Sequence, residues 1–276
     1  MGGSNTLQLH IEVRGKQHRE RDPELWYRNR CLDIKYLGVP GIVNFIDART
    51  QWIDDGMTKA LDDGIKQVVI IAAGYDTRAY RLARPGVKFF ELDLPHASDK
   101  KKELVEKLLP QDKYSWPEFI GADLSKVSLS DALATSSFDP TKKTFFSIEG
   151  LVYYLPPLAF RSLLQSISDA AVVGSRVFFD FINLSTMAGE VFHPGFETLM
   201  VSVWNKGEYF YSGVDEKEES VRELLRQFGF RMDEVVYAPQ MAARYLPHLP
   251  WKEQPNPLPR YFSYTSGEKV LPNKFG

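Results

Sequence analysis

The sequence predicts an α/β fold in which a mostly parallel sheet is covered by helices on both faces. Short apolar runs alternate with longer amphipathic ones after residue 66, which is typical of βαβ units. The run from Val68 to Ala73 is continuously apolar and rich in β-branched residues, as expected of a strand buried on both faces. A length of 276 residues suits one large α/β domain with additions.

The segment before the first strand has two parts. Residues 1–24 are rich in Gly, Ser, Asn and charge, so we predict a flexible N-terminal arm there. Residues 25–66 form a helical preface, because apolar residues recur at helical spacing from Leu25 to Leu37 and again from Ile42 to Leu61. We predict that one domain spans residues 25–276, with this preface at its start.

The strands and helices that follow can be placed from their apolar patterns. Helices are predicted over 97–110, 156–170 and 216–229. Strands are predicted over 68–73, 89–94, within 116–124, and over 143–148, 177–182, 230–237 and 260–266. Residues 183–213 carry many aromatic residues and methionines without a clean period, so we predict an insertion or lid there.

Composition excludes several classes of function. Thirty-four basic residues against 36 acidic ones give a net charge of −2, which provides no positive field for a nucleic acid. No apolar run approaches the roughly 20 residues that cross a bilayer, and the first thirty residues are polar where a signal peptide is apolar. With a single cysteine, Cys31, these features predict a cytoplasmic protein. The histidines show no metal-ligand spacing, so we expect no metal.

The turn after the first strand, "AAGYDTRAYRL", bears on the ligand. Only Gly74 is present of the three glycines that let a backbone approach a pyrophosphate. Asp76 would place a carboxylate at the helix N-terminus, where a phosphate would otherwise bind. The turn therefore disfavours a dinucleotide-dependent oxidoreductase and is compatible with a ligand that carries an ammonium or sulfonium. We expect Arg78 and Arg81, just beyond, to be solvated or paired locally.

Two acids, Glu91 and Asp93, end the second strand in "FFELD". An acid at this point can accept hydrogen bonds from ribose hydroxyls, as in nucleoside-binding α/β folds. The alternative is that a strand-end acid caps a helix or forms a turn.

Four motifs together point to a family. In order they are "VVIIAAGYDTRAYRL", "FFELDLP", "GADL" and "FFSIEGLVYYLPP", and across residues 25–182 this wording resembles the leucine carboxyl methyltransferase family. The resemblance implies a Rossmann-like class I methyltransferase with a seven-stranded, mostly parallel sheet, an antiparallel last strand, an N-terminal helical extension and a lid insertion. It also implies S-adenosylmethionine as cofactor. The sequences of these motifs are closer to those of the family's microbial small-molecule O-methyltransferase branch.

The resemblance implies residues for the methionine end of the cofactor. Gly74 lets the chain pass close to it, and Asp76 or a backbone carbonyl meets the ammonium. Glu149 of "SIEG" faces the same part of the cofactor. Arg49 pairs with the methionine carboxylate, and Arg28 is a weaker match to a basic residue before it. A guanidinium suits a carboxylate because it can bind in a bidentate manner.

The resemblance also assigns the rest of the cofactor. Asp93, with Glu91 nearby, would hold the ribose. Asp123 would bind the exocyclic amine of adenine, and Leu124 would form an aliphatic wall for the ring.

Methyl transfer from a sulfonium is an in-line displacement that mainly needs the acceptor held in place. A carboxylate acceptor needs no general base, whereas a hydroxyl acceptor needs one, and Tyr153, Tyr154 and His193 are the candidates. The aromatic segment from Phe192 to Tyr211 is consistent with a small apolar acceptor, or with a packed insertion that touches no substrate. Two other functions stay open, namely methylation of a protein's C-terminal leucine and a non-catalytic module that binds S-adenosylmethionine.

Overall fold

The computed structural model describes residue 39, residues 41–247 and residues 258–271. The predicted arm over residues 1–24, the first predicted helix of the preface and Arg28 lie outside the described residues. The division of the chain into an arm, a preface and one domain therefore stays a prediction.

The described strands form one seven-stranded sheet of order β3-β2-β1-β4-β5-β7-β6. Strands β1 to β5 pair in parallel, whereas β7 runs antiparallel to both β5 and β6. The predicted mostly parallel sheet with an antiparallel last strand is confirmed. The strands are β1 Gln67–Ile71, β2 Lys88–Asp93, β3 Glu118–Gly121, β4 Thr144–Ile148, β5 Arg176–Ile182, β6 Phe230–Tyr237 and β7 Phe262–Lys269.

Helices connect these strands, and a short 3-10 turn, Val152–Tyr154, follows β4. Four predicted helices are found close to their predicted bounds, as α1, α3, α5 and α8. The helices are α1 Ile42–Asp62, α2 Arg78–Arg81, α3 Pro95–Leu108, α4 Leu129–Ala134, α5 Pro157–Ala170, α6 Leu184–Met187, α7 Phe196–Trp204, α8 Glu218–Gln227 and α9 Ala238–Tyr245.

Two helices were missed by the apolar pattern because local capping defines them. At the start of α4, the Ser128 hydroxyl accepts a hydrogen bond from the Asp131 backbone N–H. At the start of α9, the Gln240 side chain accepts from the Tyr237 backbone N–H, and a proline lies in the first turn. The helix after β1 is a single turn, α2, shorter than a βαβ pattern suggests.

The sheet separates two apolar cores, and successive residues of β1 point into opposite ones. Val68 and Ile70 pack with α1 and α9, whereas Val69 and Ile71 pack with α5 and α8. Helix α1 lies very close to the sheet, since a Cβ atom on Gly56 would lie 2.2 Å from a ring carbon of Phe178. This close packing places α1 beside the carboxyl ends of β4 and β5.

The predicted insertion over residues 183–213 contains α6 and α7. On α7, Leu199 and Val203 are buried against the α1 side of the sheet, whereas Val201 and Trp204 are exposed. Whether this segment acts as a lid stays a prediction. Among the helices of the described residues, none is long and apolar enough to span a membrane.

Candidate functional site

The candidate site lies at the carboxyl ends of β1, β2 and β4, where the strand order reverses around β1. In open α/β sheets such a point is where ligands bind. The loop over residues 72–77, here called the first loop, turns sharply because Ala72 and Gly74 have φ angles of 54° and 44°. Asp93, the last residue of β2, accepts from the Gly74 N–H at 2.7 Å and from the Leu94 N–H at 2.8 Å. Asp93 therefore holds the first loop in place.

Arg78, on α2, is fully buried and is bound by three carboxylates. Its Nε lies 2.6 Å from Asp54 Oδ1, and its Nη1 lies 2.5 Å from Glu149 Oε2 and also contacts Asp76. Its Nη2 donates to the Thr50 carbonyl at 3.2 Å. The structure corrects the expectation for Arg78, because this side chain is not solvated and two of its three partner acids are distant in sequence.

Arg81 has a local partner, as expected, but it is not solvated. It pairs with Asp54 at 2.6 Å and donates to the Thr77 hydroxyl, so it is engaged but only slightly exposed. Burial would raise the pKa of Asp54, but Arg78 and Arg81 together lower it below its usual value. Asp54 is thus an ionised, buried anchor on α1 that the sequence analysis did not single out.

Arg49, on α1, reaches the ends of β4 and β5. Its Nε lies 3.0 Å from Glu149 Oε1, and its Nη1 lies 3.0 Å from Asp180 Oδ2 and 3.3 Å from the Tyr153 hydroxyl. Burial alone would lower the pKa of Arg49, but Asp180 and Glu149 raise it well above its ordinary value. No described residue is hydrogen-bonded to Nη2, so this edge of the guanidinium remains available to a ligand.

Asp180 is a site residue that sequence reasoning missed. It lies on β5, is fully buried, and accepts from the Gly150 N–H at 2.7 Å as well as from Arg49. The signal was present, since an acid within the apolar run "VFFDFI" must be paired if that strand is buried. Burial raises the pKa of Asp180 even though Arg49 opposes this shift. Gly150 has a φ of 68°, and a Cβ there would lie 3.2 Å from Arg49 Nη1.

These groups form one buried ion cluster, in which three guanidinium groups meet four carboxylates. The members are Arg49, Arg78, Arg81, Asp54, Asp76, Glu149 and Asp180. Two of its acids, Asp76 and Glu149, are partly exposed beside the first loop, so a ligand with a positive group is electrostatically suited to this place.

The structure separates the two acids of the second strand. Glu91 is buried one pleat below Asp93, and its Oε2 lies 2.6 Å from Lys101 Nζ, which also donates to the Asp76 carbonyl at 2.8 Å. Burial raises the pKa of Glu91 to about 7, although Lys101 opposes the shift. Glu91 thus supports the first loop through Lys101, and Asp93 is the acid that lies at the opening.

Asp123 and Leu124 follow β3, and the loop is joined to β2 where the Ala122 N–H donates to the Asp93 carbonyl at 2.8 Å. The Asp123 carboxylate accepts from the Ser125 hydroxyl and N–H and pairs with Lys126. The Ser125 hydrogen bonds, followed by Lys126, lower the pKa of Asp123 to about 2. Contact of Asp123 and Leu124 with adenine stays a prediction.

The candidate general bases lie along an aromatic wall, which we define as Tyr153, Tyr154, Phe196, Phe210, Tyr261 and Phe262. Ring centroids along it are 4.9 to 5.7 Å apart. Tyr153 is buried, and half-buried Tyr154 donates to Glu208 at 3.1 Å. Burial, followed by nearby carboxylates, raises the pKa of both hydroxyls. His193 lies 6.2 Å from the Tyr261 ring, and burial and then Arg260 lower its pKa.

Within the described part of the chain, no group of three His, Cys, Asp or Glu side chains could hold a metal ion. The acids of the site are instead matched by guanidinium groups.

Comparison with known proteins identifies the family. The family model described as leucine carboxyl methyltransferase matches residues 8–168, which is more than half of the 276 residues. The chain belongs to the leucine carboxyl methyltransferase family. The resemblance that the four motifs carry is thereby confirmed.

Curated relatives of this chain share one name, which gives a type of methyltransferase but no acceptor. A Mycolicibacterium paratuberculosis protein named "Putative S-adenosyl-L-methionine-dependent methyltransferase" is 40% identical over 136 residues, 49% of this chain and 44% of that protein. A Mycobacteroides abscessus protein of the same name is 31% identical over 240 residues, 83% of this chain and 67% of that protein. The chain spans about half the length of the first curated relatives it matches.

Solved structures support the fold of this leucine carboxyl methyltransferase family member. A crystal structure titled as a putative methyltransferase from Thermobifida fusca has a TM-score of 0.61 at 18% identity, covering 87% of this chain and 86% of that one. The chain therefore has the Rossmann-like class I methyltransferase fold that its sequence predicted.

Proposed function

We propose that the protein is an S-adenosylmethionine-dependent O-methyltransferase that acts on a carboxylate or hydroxyl of a small molecule and uses no metal. The family and the names of its relatives support methyl transfer. The observation that supports it most directly is the arrangement of Arg49 and Glu149 beside the first loop, because it presents a cationic and an anionic group side by side.

The residues present fit the amino-acid end of such a cofactor. An α-amino acid carries a carboxylate and an ammonium, and Arg49 Nη2 can donate to the first while Glu149 faces the second. The sulfonium adds one more positive charge, which the carboxylates of Asp76 and Glu149 would attract. Gly74 is exposed, and a Cβ there would meet no atom closer than 4.0 Å, so the first loop has open space beside it.

The ribose would be held by Asp93. Its two carboxylate oxygens accept one N–H each, from Gly74 and Leu94. A carboxylate has about four acceptor positions, so Asp93 can accept further hydrogen bonds from two vicinal hydroxyls. Because the same carboxylate fixes the first loop, ribose binding and loop position are coupled through one side chain.

Methyl transfer from this cofactor requires little general acid or base catalysis. When bound, S-adenosylmethionine supplies a methyl group on a sulfonium, which is already a good leaving group. The chain's contribution is to hold the acceptor oxygen in line and to exclude water, an effect worth roughly 7 to 11 kcal/mol at best. The aromatic wall, whose members are buried or half-buried, suits the second task, since it lies next to Arg49 through Tyr153.

The electrostatics of the aromatic wall favour a carboxylate acceptor over a hydroxyl. Tyr153 and Tyr154 have raised pKa values, so both hydroxyls stay protonated near neutral pH. Tyr153 accepts from Arg49 and can donate its own proton, and Tyr154 donates to Glu208. A protonated tyrosine suits an anionic acceptor and cannot remove a proton from a neutral one. His193, whose pKa is lowered, is the remaining base for a hydroxyl acceptor.

A methyl-transfer screen tests this proposal. The full chain is incubated with S-adenosylmethionine labelled on the methyl group, with matched pairs of small aromatic carboxylic acids and phenols, and with a peptide that ends in leucine. We expect label in an alkali-labile methyl ester, and a His193→Gln variant that retains this activity. Label only in alkali-stable ethers, with activity lost in His193→Gln, would make a hydroxyl the acceptor. Label only in a peptide with a C-terminal leucine, or in no acceptor despite cofactor binding, would contradict the proposal.

A further inference from the structure

We infer that Arg78 is a positioning residue of the cofactor site, which holds Asp76 and Glu149 at the methionine end although no ligand reaches it. The inference rests on the proposed function for the identity of the ligand. Arg78 is fully buried, whereas Glu149, which it binds, is partly exposed at the site.

The three acids bound to Arg78 come from three separate parts of the fold. Asp54 belongs to α1, Asp76 to the first loop and Glu149 to the segment after β4. One guanidinium therefore joins a helix, a loop and a strand end that have no covalent connection near the site. The position of the first loop relative to β4 depends on this side chain.

Arg78 also orients Arg49 through a shared acid. Glu149 binds Arg78 through Oε2 and Arg49 through Oε1, so both carboxylate oxygens are occupied by guanidinium groups. If Arg78 were absent, Glu149 would lose one of the two guanidinium groups that hold it, and its carboxylate would orient the Nε of Arg49 less firmly. The orientation of Arg49 Nη2, which we propose donates to the methionine carboxylate, would then no longer be fixed.

The role requires the positive charge of Arg78, because that charge keeps its three partner carboxylates ionised. Without Arg78, Asp54, Asp76 and Glu149 would be three partly buried carboxylates gathered around one vacated position. Like charges in a buried place raise one another's pKa, so at least one of these acids would bind a proton near neutral pH. A protonated Asp76 or Glu149 would attract an ammonium less strongly.

Arg81 provides a natural control. It is one turn further along and pairs with Asp54 at 2.6 and 3.1 Å, but it shows no contact with Asp76 or Glu149 among the described residues. A lysine cannot replace Arg78, because its single ammonium cannot reproduce the bonds made separately by Nε, Nη1 and Nη2.

The test uses Arg78→Met, Arg78→Lys and the control Arg81→Met in the full chain, with S-adenosylhomocysteine as calorimetric probe at several pH values. We expect Arg78→Met to bind roughly 10 to 100-fold more weakly near neutral pH, as for other residues that orient a direct ligand. Its affinity should recover partly as pH rises, since the acids then ionise. Arg78→Lys should be weakened with a flat pH profile, and Arg81→Met should lose less than Arg78→Met.

Wild-type affinity and pH profile in folded Arg78→Met would overturn the inference. If that variant does not fold, Asp54→Ala serves instead, because it removes the anchoring bond to Arg78 Nε at a position away from the ligand. Unchanged affinity there would also overturn the inference. If the wild-type chain binds no S-adenosylhomocysteine, the proposed function fails. The role of Arg78 is then judged by unfolding of the ligand-free proteins. Stability of Arg78→Met should fall more steeply than that of Arg81→Met as pH rises, because buried acids with raised pKa values must ionise. Equal slopes would overturn the inference.

Discussion

At the residue scale, two acids on the same strand differ in role because one is buried and the other is partly exposed. Glu91 and Asp93 are two residues apart on β2 and so share one face. Asp93 is the last residue of the strand and is partly exposed, whereas Glu91 is covered and paired with Lys101. A pattern of acids at a strand end therefore does not distinguish a ligand-binding carboxylate from one that holds the surrounding structure.

Glu91 should impose a pH dependence on stability. Its pKa rises from an ordinary value of 4.5 to about 7 in the folded chain, so the stability it contributes is present below about pH 4.5 and is lost as pH rises through about 7. The loss is roughly 3 kcal/mol, since one pKa unit corresponds to about 1.4 kcal/mol. Urea unfolding of Glu91→Gln should lack this component. The exposed Glu106→Gln, on the same helix as Lys101, should keep it, and parallel curves for wild type and Glu91→Gln would refute the burial argument.

At the element scale, the insertion is held by one side of a short helix. Helix α7 buries Leu199 and leaves Val201 60% exposed, two residues further along. The aromatic wall continues this packing, because Phe196 at the start of α7 lies 4.9 Å from Tyr261. The helix therefore connects the insertion to the core beside the ion cluster.

Two substitutions on α7 should differ sharply in their effect. Leu199→Ala should lower the free energy of unfolding by about 2 to 5 kcal/mol, because it creates a cavity in the core. Val201→Ala should change it by less than about 0.5 kcal/mol, because that side chain packs little. Equilibrium urea unfolding measures both. Similar small values for the two would mean that the insertion is not seated on the core.

Most strands were predictable from sequence, and most of the ion cluster was not. Strands β1, β4 and β5 are predominantly apolar because both faces are buried. The family resemblance pointed to Arg49, Asp93 and Glu149 as site residues, and their contacts with a ligand stay predictions. Arg78 and Asp54 look like ordinary surface charges in a helical pattern, because their burial arises from contacts between elements far apart in sequence. Asp180 was detectable only as a charge within an apolar strand. Local caps, which apolar periodicity does not report, define α4 and α9.

At the scale of the whole molecule, strand order brings the site together. Strand β1 lies between β2 and β4, so the first loop, Asp93 and Glu149 meet at one edge of the sheet. Helix α1 brings Arg49 and Asp54 to the same edge from outside it. The net charge of −2 is nearly neutral, yet seven charged side chains meet in one buried cluster. The charge that matters for a cationic ligand is thus arranged by topology and is invisible in the composition.

Calorimetric titration with S-adenosylhomocysteine, performed on the full chain and on Asp93→Ala, tests the central claim most directly. Asp139→Ala, which removes an exposed aspartate from a turn elsewhere, serves as control. We predict one molecule bound per chain in wild type and control. We predict an affinity for Asp93→Ala that is lower by roughly 100-fold, because two charged hydrogen bonds are lost at about 1.5 kcal/mol or more each. Absence of binding to wild type, or equal affinity for Asp93→Ala, would contradict the account.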